Sequence, residues 1–422
     1  LPNLNKDVEM SLSRRKFFKN GIGLFISVSA TELWQIAAQA APRASGSNKI
    51  LIVIQLAGGN DGLNMVVPYA DDAYAKLRPQ IQVKAKDVLQ LDAKIGFHNN
   101  MGELADMFKS GKVAIIQGVG YPEPNRSHFR SIEIWQTAEP RKVKDTGWLG
   151  RYLDYAEPNK KNVSDTFFPA INVDPILPKT LSGQKVIVPS VSNVSDFTFK
   201  ADPRQEIDRL AQISAFNDIY KDYKLKRKYV EQLREVGLET TSASDYLNNI
   251  VKSYESTAVY PNDGFGRSLK FIAQMITGDV DCRVYNVTLD GFDTHTNEPN
   301  SQAQLLRRLS QGIKALYVDL AAHNIDKEVI TMTFSEFGRR VAENGSRGTD
   351  HGTAAPMLIV GGGIKGGIYG DYPNLSDLQD GDLKYKIDFR NVYATILDRW
   401  MGADSKTILG DKFDQMDFIA RS

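Results

Sequence analysis

Residues 330–363 read ITMTFSEFGRRVAENGSRGTDHGTAAPMLIVGGG, with two apolar β-type runs at 330–334 and 357–360. Ser335 and Glu336 follow the first run, and Asp350, His351 and Gly352 precede the second. In a sheet covered by helices on both faces, ligands bind in the crevice outside the carboxyl ends of the strands. Charged groups at a strand end and in the adjoining loop are therefore candidates for one converging site. The other strand ends of the chain can be read against the same place.

Working outward, residues 50–56 form a nearly continuous apolar run rich in β-branched residues, the pattern of a strand buried on both faces. It ends in AGGNDGLN, 57–64, which puts Asp61 at a strand end either as a ligand or as part of an Asp-Gly turn. The stretch lacks the Gly-Lys-Ser ending of a phosphate loop. Helical spacing at 101–110 and a strand at 113–118 lead to YPEPNRSHF, 121–129, where prolines stop the strand and a helix starts near Ser127. Ser127 can cap that helix through its hydroxyl, or serve as a nucleophile where helix amides stabilise anions. Its neighbour His128 is either a base or phosphate contact, or an exposed helix residue. Another helix begins at 147–153, and 155–200 reads as a β-rich excursion outside the sheet core. Residues 204–256 are charged and helix-periodic, and the run KDYKLKRK at 221–228 reads as a solvated helix face. An amphipathic helix at 265–276 precedes a third strong strand, 284–289, ending in DGFDTH, 290–295. Asp293 and His295 are two apart, so an extended segment carries them on one side, a workable spacing for one metal ion. A helix over 305–322 has His323 in its polar tail, His98 is undecided, and Asp388 is an N-cap for a last helix running to Trp400.

Composition bounds the rest. A chain of 422 residues with 42% hydrophobic content can bury a large core. Basic and acidic residues number 52 and 51, so no nucleic-acid partner is implied. The one cysteine, Cys282, excludes an intrachain disulfide and a thiolate metal cluster. Near the amino terminus SRRKFFK, 13–19, precedes a mildly apolar run at 21–30 and then Ala38-Gln39-Ala40. This is the pattern of a signal peptide of the twin-arginine type. The run is too short to span a membrane, which takes about 20 apolar residues. The expected organisation is a leader over 1–40, then a single α/β domain over 41–422 carrying a helix-rich insertion around 200–260. The export machinery is the partner expected at 13–19, and the periplasm or cell surface the location.

In combination, GGNDGLN, YPEPNRSHF, GFDTH, TFSEFGRR and GTDHG behind that leader resemble the domain-of-unknown-function family fifteen-oh-one. The family is placed in the alkaline phosphatase and sulfatase superfamily. The resemblance implies a three-layer sandwich, with a central mostly parallel sheet flanked by helices, one or two divalent metals (Zn, Mn, Ca or Mg), and a hydroxyl-type nucleophile. Position by position it implies Asp61, Asp293, His295, Glu336 and His351 as metal ligands and Ser127 as nucleophile. Phe337 stands where the superfamily has a metal-binding His. Arg126, Arg130, Arg339 and Arg340 are available to an anionic ester, since guanidinium forks fit phosphate geometry. The expected activity is metal-dependent hydrolysis of phosphate or sulfate esters outside the cytoplasm. The alternative is a periplasmic binding protein on the same fold with a degenerate site.

Overall fold

Alternation along the first apolar run sets the layers. In strand β1 (Ile50–Ala57), Leu51 and Val53 pack into one core, while Ile50, Ile52, Ile54 and Leu56 pack into another on the opposite face. A strand buried on both sides must be apolar throughout, as this one is. The computed structural model describes residues 49–156, 168–186, 188–191 and 250–419. The expected leader at 1–40 and the run at 221–228 lie outside the described residues, as does most of the segment around 200–260.

The remaining strands of the main sheet are β2 (Val113–Gly120), β3 (Ala170–Asn172), β4 (Val284–Asp290), β5 (Val329–Phe334), β6 (Ala355–Gly361), β7 (Gly367–Tyr369) and β8 (Ile387–Asp388). Their order is β7-β2-β6-β5-β1-β4-β3, with β8 also pairing β2. Every pairing is parallel except the two made by β6, which runs antiparallel to β2 and to β5. That reversal matters for the site. The loop before β6, carrying Asp350 and His351, reaches the same edge as the loops that follow β1, β2, β4 and β5.

Among the described residues six main helices cover the faces: α1 (Gly102–Lys109), α2 (His128–Thr137), α3 (Trp148–Ala156), α4 (Gly264–Thr277), α5 (Glu298–Ala322) and α6 (Phe389–Arg399). Leu104 of α1, Leu269 and Ile272 of α4, and Leu309 and Ile313 of α5 fill one core. Trp135 of α2, Trp148 of α3 and Tyr393 of α6 fill the other, with Trp148 stacked on Tyr393 at 4.2 Å and Trp135 on Phe389 at 4.4 Å. The result is a three-layer α/β sandwich with a mostly parallel sheet. Among the described residues no helix is long and apolar enough to cross a membrane.

Two local expectations need correction. Residues 170–172 are not outside the sheet core: β3 is an edge strand parallel to β4, with Ala170 opposite Val284. Three residues are too few to show a period, and polar Asn172 is buried because its amide is bonded to Ser190, to backbone carbonyls and to Asn286. Helix α5 begins at Glu298 rather than 305, because its first two turns bury Glu298 and Gln302 instead of apolar residues.

Candidate metal centre

The site is built where five loop segments meet at the carboxyl edge of the sheet. Two glycines let them touch. Gly58 has φ of +114°, and a side chain there would sit 2.3 Å from the backbone nitrogen of Asp293. Gly59, at +80°, faces the Phe337 ring, which a Cβ would meet at 2.3 Å. Arg339 rivets the same loops. Its Nε donates to the Gly59 carbonyl at 2.6 Å and its Nη1 to that of Thr349 at 2.8 Å. Its Nη2 donates to the carbonyls of Gly58 and Phe292 and to Asp293 Oδ1. The guanidinium is fully buried and its donors point inward, so Arg339 is not placed to receive an outside anion.

Around Asp293 stand three imidazoles. His351 Nε2 is 3.2 Å from Asp293 Oδ1, His295 Nε2 is 3.1 Å from the same oxygen, and His128 Nε2 is 3.6 Å from Oδ2. His295 Nε2 and His351 Nε2 face each other at 3.0 Å. Donor atoms of His128, Asp293 and His351 all lie within 4.8 Å of one another.

The far side of each ring explains its orientation. His351 Nδ1 lies 2.8 Å from the Arg126 carbonyl, which can only accept, so Nδ1 carries the proton and Nε2 offers a lone pair. His128 Nδ1 is held at 2.8 Å by Glu336 Oε1, and His295 Nδ1 at 3.2 Å by Asp350 Oδ1. Three Nε2 lone pairs and one carboxylate therefore turn toward a shared space. Acceptors behind ligating histidines fix the tautomer in this way at metal sites. Ligand atoms around an ion at about 2.0–2.2 Å stand roughly 3–3.5 Å apart. Asp293, His295 and His351 meet that spacing at 3.0–3.2 Å, while His128 stands 3.6 Å from Asp293 Oδ2, so the close trio suits a divalent metal with His128 at its margin.

Electrostatics agree with that chemistry. Burial raises the Asp293 carboxyl, but the hydrogen bond and charge of Arg339 outweigh it and hold the group below the usual carboxylate range. Burial lowers His351 below an ordinary imidazole, against its bond to the Arg126 carbonyl, and favours the neutral ligating form. The cluster is open to solvent, with Asp293 49% and His295 41% exposed in their side chains.

Of the expected ligands, Asp293, His295 and His351 come together and two do not. Glu336 is fully buried behind His128, where Oε1 also accepts the Gly58 amide at 2.9 Å. It orients a candidate ligand instead of facing the shared space. Asp61 is withdrawn into the interior. It caps the short helix Gly62–Met65 through the Leu63 amide and pairs with buried Arg78 at 2.5 Å. His128, which sequence reasoning set between a base and a surface residue, belongs to the cluster. A helix-start histidine carries no signal of this by itself; the sole hint was its place in a loop after a strand.

Ser127 is exposed at the start of α2, and its hydroxyl makes no capping bond, contrary to the capping reading. Of the expected anion contacts, Arg130 bonds Glu133 in its own helix and the Pro140 carbonyl past that helix's end, and Arg126 pairs with Asp382. Phe337 is buried against the rings of His128 and His351, at 4.9 and 4.6 Å, and those two rings meet each other edge to face at 4.5 Å. His98 is buried too, and burial pushes it down to about 4.

Residues 48–416 match the model of a protein family described as a protein of unknown function, DUF1501. The chain belongs to that family. No curated protein matches it in sequence. Solved structures similar to it include the PsFucS1 sulfatase from Pseudoalteromonas sp., at 11% identity, covering 87% of this chain and 70% of that one with a TM-score of 0.38. A protein in the alkaline phosphatase superfamily from Vibrio parahaemolyticus follows at 7% identity, 84% and 74% coverage, and a TM-score of 0.32. The C-terminal periplasmic domain of EcEptC from Escherichia coli is 10% identical, with 89% of each chain covered and a TM-score of 0.34. Likeness at this level bears on neither activity nor substrate.

Proposed function

We propose that this DUF1501 chain is a metal-dependent hydrolase of phosphate or sulfate esters that works outside the cytoplasm after twin-arginine export. One observation carries the reading: three imidazoles, each with Nδ1 held by an acceptor, turn Nε2 toward the Asp293 carboxylate. His128, Asp293, His295 and His351 would hold one divalent ion, of a type suited to nitrogen and oxygen donors such as Zn or Mn. A bound ion of that kind supplies Lewis acidity toward a phosphoryl or sulfuryl oxygen. Ser127 offers the nucleophile, since its hydroxyl is exposed and uncommitted to capping at the start of α2. The amides of that helix turn favour an anion beside it. Glu336 and Asp350 hold the imidazole protons at Nδ1, and Arg339 keeps Asp293 ionised.

A second reading keeps the metal and drops the turnover. Phe337 walls off the rings of His128 and His351, and Asp61 and Glu336 are withdrawn, which supports one ion rather than a pair. The test is metal analysis of purified protein and of His351→Ala and Asp293→Asn. Stoichiometric metal in wild type that both variants lose is expected, followed by an ester screen on wild type and Ser127→Ala. Protein that takes up no metal under any loading condition would sink both readings. Metal without turnover of any phosphate or sulfate ester leaves the binding protein.

A further inference from the structure

Beside the histidine cluster lies a group of charges that the metal reading does not use. Arg126 Nη2 contacts Asp382 Oδ2, and Arg340 Nε stands 4.0 Å from Asp382 Oδ1. The Asp382 side chain is 1% exposed, whereas those of Arg126 and Arg340 are 38% and 40% exposed. Two guanidiniums thus share one buried carboxylate, the Asp380 carboxylate stands near that group as well, and both arginines remain partly exposed at the surface. The pairing is also incomplete. Arg126 Nε and Asp382 Oδ1 are both buried without a hydrogen-bond partner. A purely structural ion pair would favour the bidentate fork, which a single arginine makes with both oxygens.

Both arginines are tied to the residues of the cluster. Arg126 precedes Ser127 and His128, and its carbonyl holds His351. Arg340 follows the rivet Arg339, and its amide donates to the Asp350 carbonyl at 2.9 Å. Gly381, at φ of +84°, lets the adjoining turn approach Arg340, whose Nη1 lies 3.3 Å from where a Cβ would be. Asp382 therefore positions a two-arginine fork next to the His351 loop.

We propose that Arg126 and Arg340 form an anion subsite set by Asp382, and that the natural substrate carries a second negative group near the ester taken by the cluster. The inference rests on the metal-hydrolase reading for the first charge alone. The substrate class becomes a polyanionic ester, such as a multiply sulfated or phosphorylated carbohydrate, in preference to a simple monoester.

The test titrates the purified full domain, after its metal content is measured, with methanesulfonate and with two dianions of different reach, ethane-1,2-disulfonate and benzene-1,3-disulfonate. Wild type is expected to favour at least one dianion by about tenfold, the scale of one charge-assisted contact. Arg340→Gln and Arg126→Gln should each remove that preference while leaving methanesulfonate affinity unchanged, and Arg340→Lys should keep part of it. Thermal melts check that each variant is folded. No preference in wild type, or a preference that both glutamine variants keep, overturns the subsite. A preference that survives in protein unable to hold metal supports the subsite and removes the metal reading.

Discussion

Glu298 is the first residue of α5, fully buried, and it joins the two loops that carry the cluster. Its carboxyl meets Thr294 at 3.2 Å and Thr349 at 2.5 Å, while Asn64 donates to it from the turn after β1. Burial and the nearby Asp61 carboxylate push its pKa up to about 9, while Arg78 keeps Asp61 ionised. The folded chain therefore retains a proton on Glu298 that the unfolded chain, near its ordinary 4.5, releases. Between those values the folded state binds more protons, so this group's contribution is complete below pH 4.5 and is lost as pH rises toward 9. Glu298→Gln mimics the protonated acid and should flatten the fall in stability over that window. Urea midpoints from pH 5 to 9 measure it, and the other titrating groups cancel in the comparison. Parallel slopes for variant and wild type would mean that Glu298 is ionised in the fold. Nothing in the sequence marked this residue, because the apolar spacing put the start of the helix at 305 and left Glu298 in the segment before it.

The segment that follows β5 shows how much of an element can be read from its pattern. The run at 330–334 and the polar residues after it were legible as a strand and its polar end, and β5 ends at Phe334 accordingly. The division of labour within that end was not, because it depends on which way each side chain turns. Ser335 turns back to the Leu56 carbonyl and the Asn60 amide, Glu336 to His128, and Phe337 to the rings of His128 and His351. A phenylalanine at this point looked like a lost ligand, and its ring packs against two of the candidate imidazoles. Phe337→Ala should cost about 3–5 kcal/mol, as for other large buried aromatics, because Gly59 beside it has no side chain to fill the gap. Denaturant unfolding gives the figure. A loss below about 1 kcal/mol would show that the loops collapse onto the cavity, and that Phe337 is not what backs the two imidazoles.

At the scale of the molecule, the four proposed ligands lie at positions 128, 293, 295 and 351, so no local segment can assemble them. The apolar runs made the layers predictable, since strands buried on both faces must be apolar. They could not reveal that β6 is antiparallel, which is what brings His351 to the edge where β4 delivers Asp293 and His295. Nor could they show Arg339 drawing together the ends of β1 and β4 with the loop before β6. Because the ligands meet only in the finished sandwich, an ion binds the folded chain and not the unfolded one, and binding adds directly to stability. Metal at a hundredfold excess over its dissociation constant adds about 2.7 kcal/mol. For a chain of 422 residues, with about 2.1 cal/mol/K of unfolding entropy per residue, that raises the melting temperature by roughly 3 °C, a little over about 1 °C per kcal/mol. Chelator-treated protein should melt lower by that margin, and adding back Zn or Mn should restore it. Asp293→Asn should abolish the response, because the amide keeps the shape but loses the charge between the imidazoles. The same melting shift in the variant would place the stabilising ion elsewhere on the chain. A shift confined to wild type ties the completed fold to its metal, as expected if the ion is acquired before a folded chain is exported.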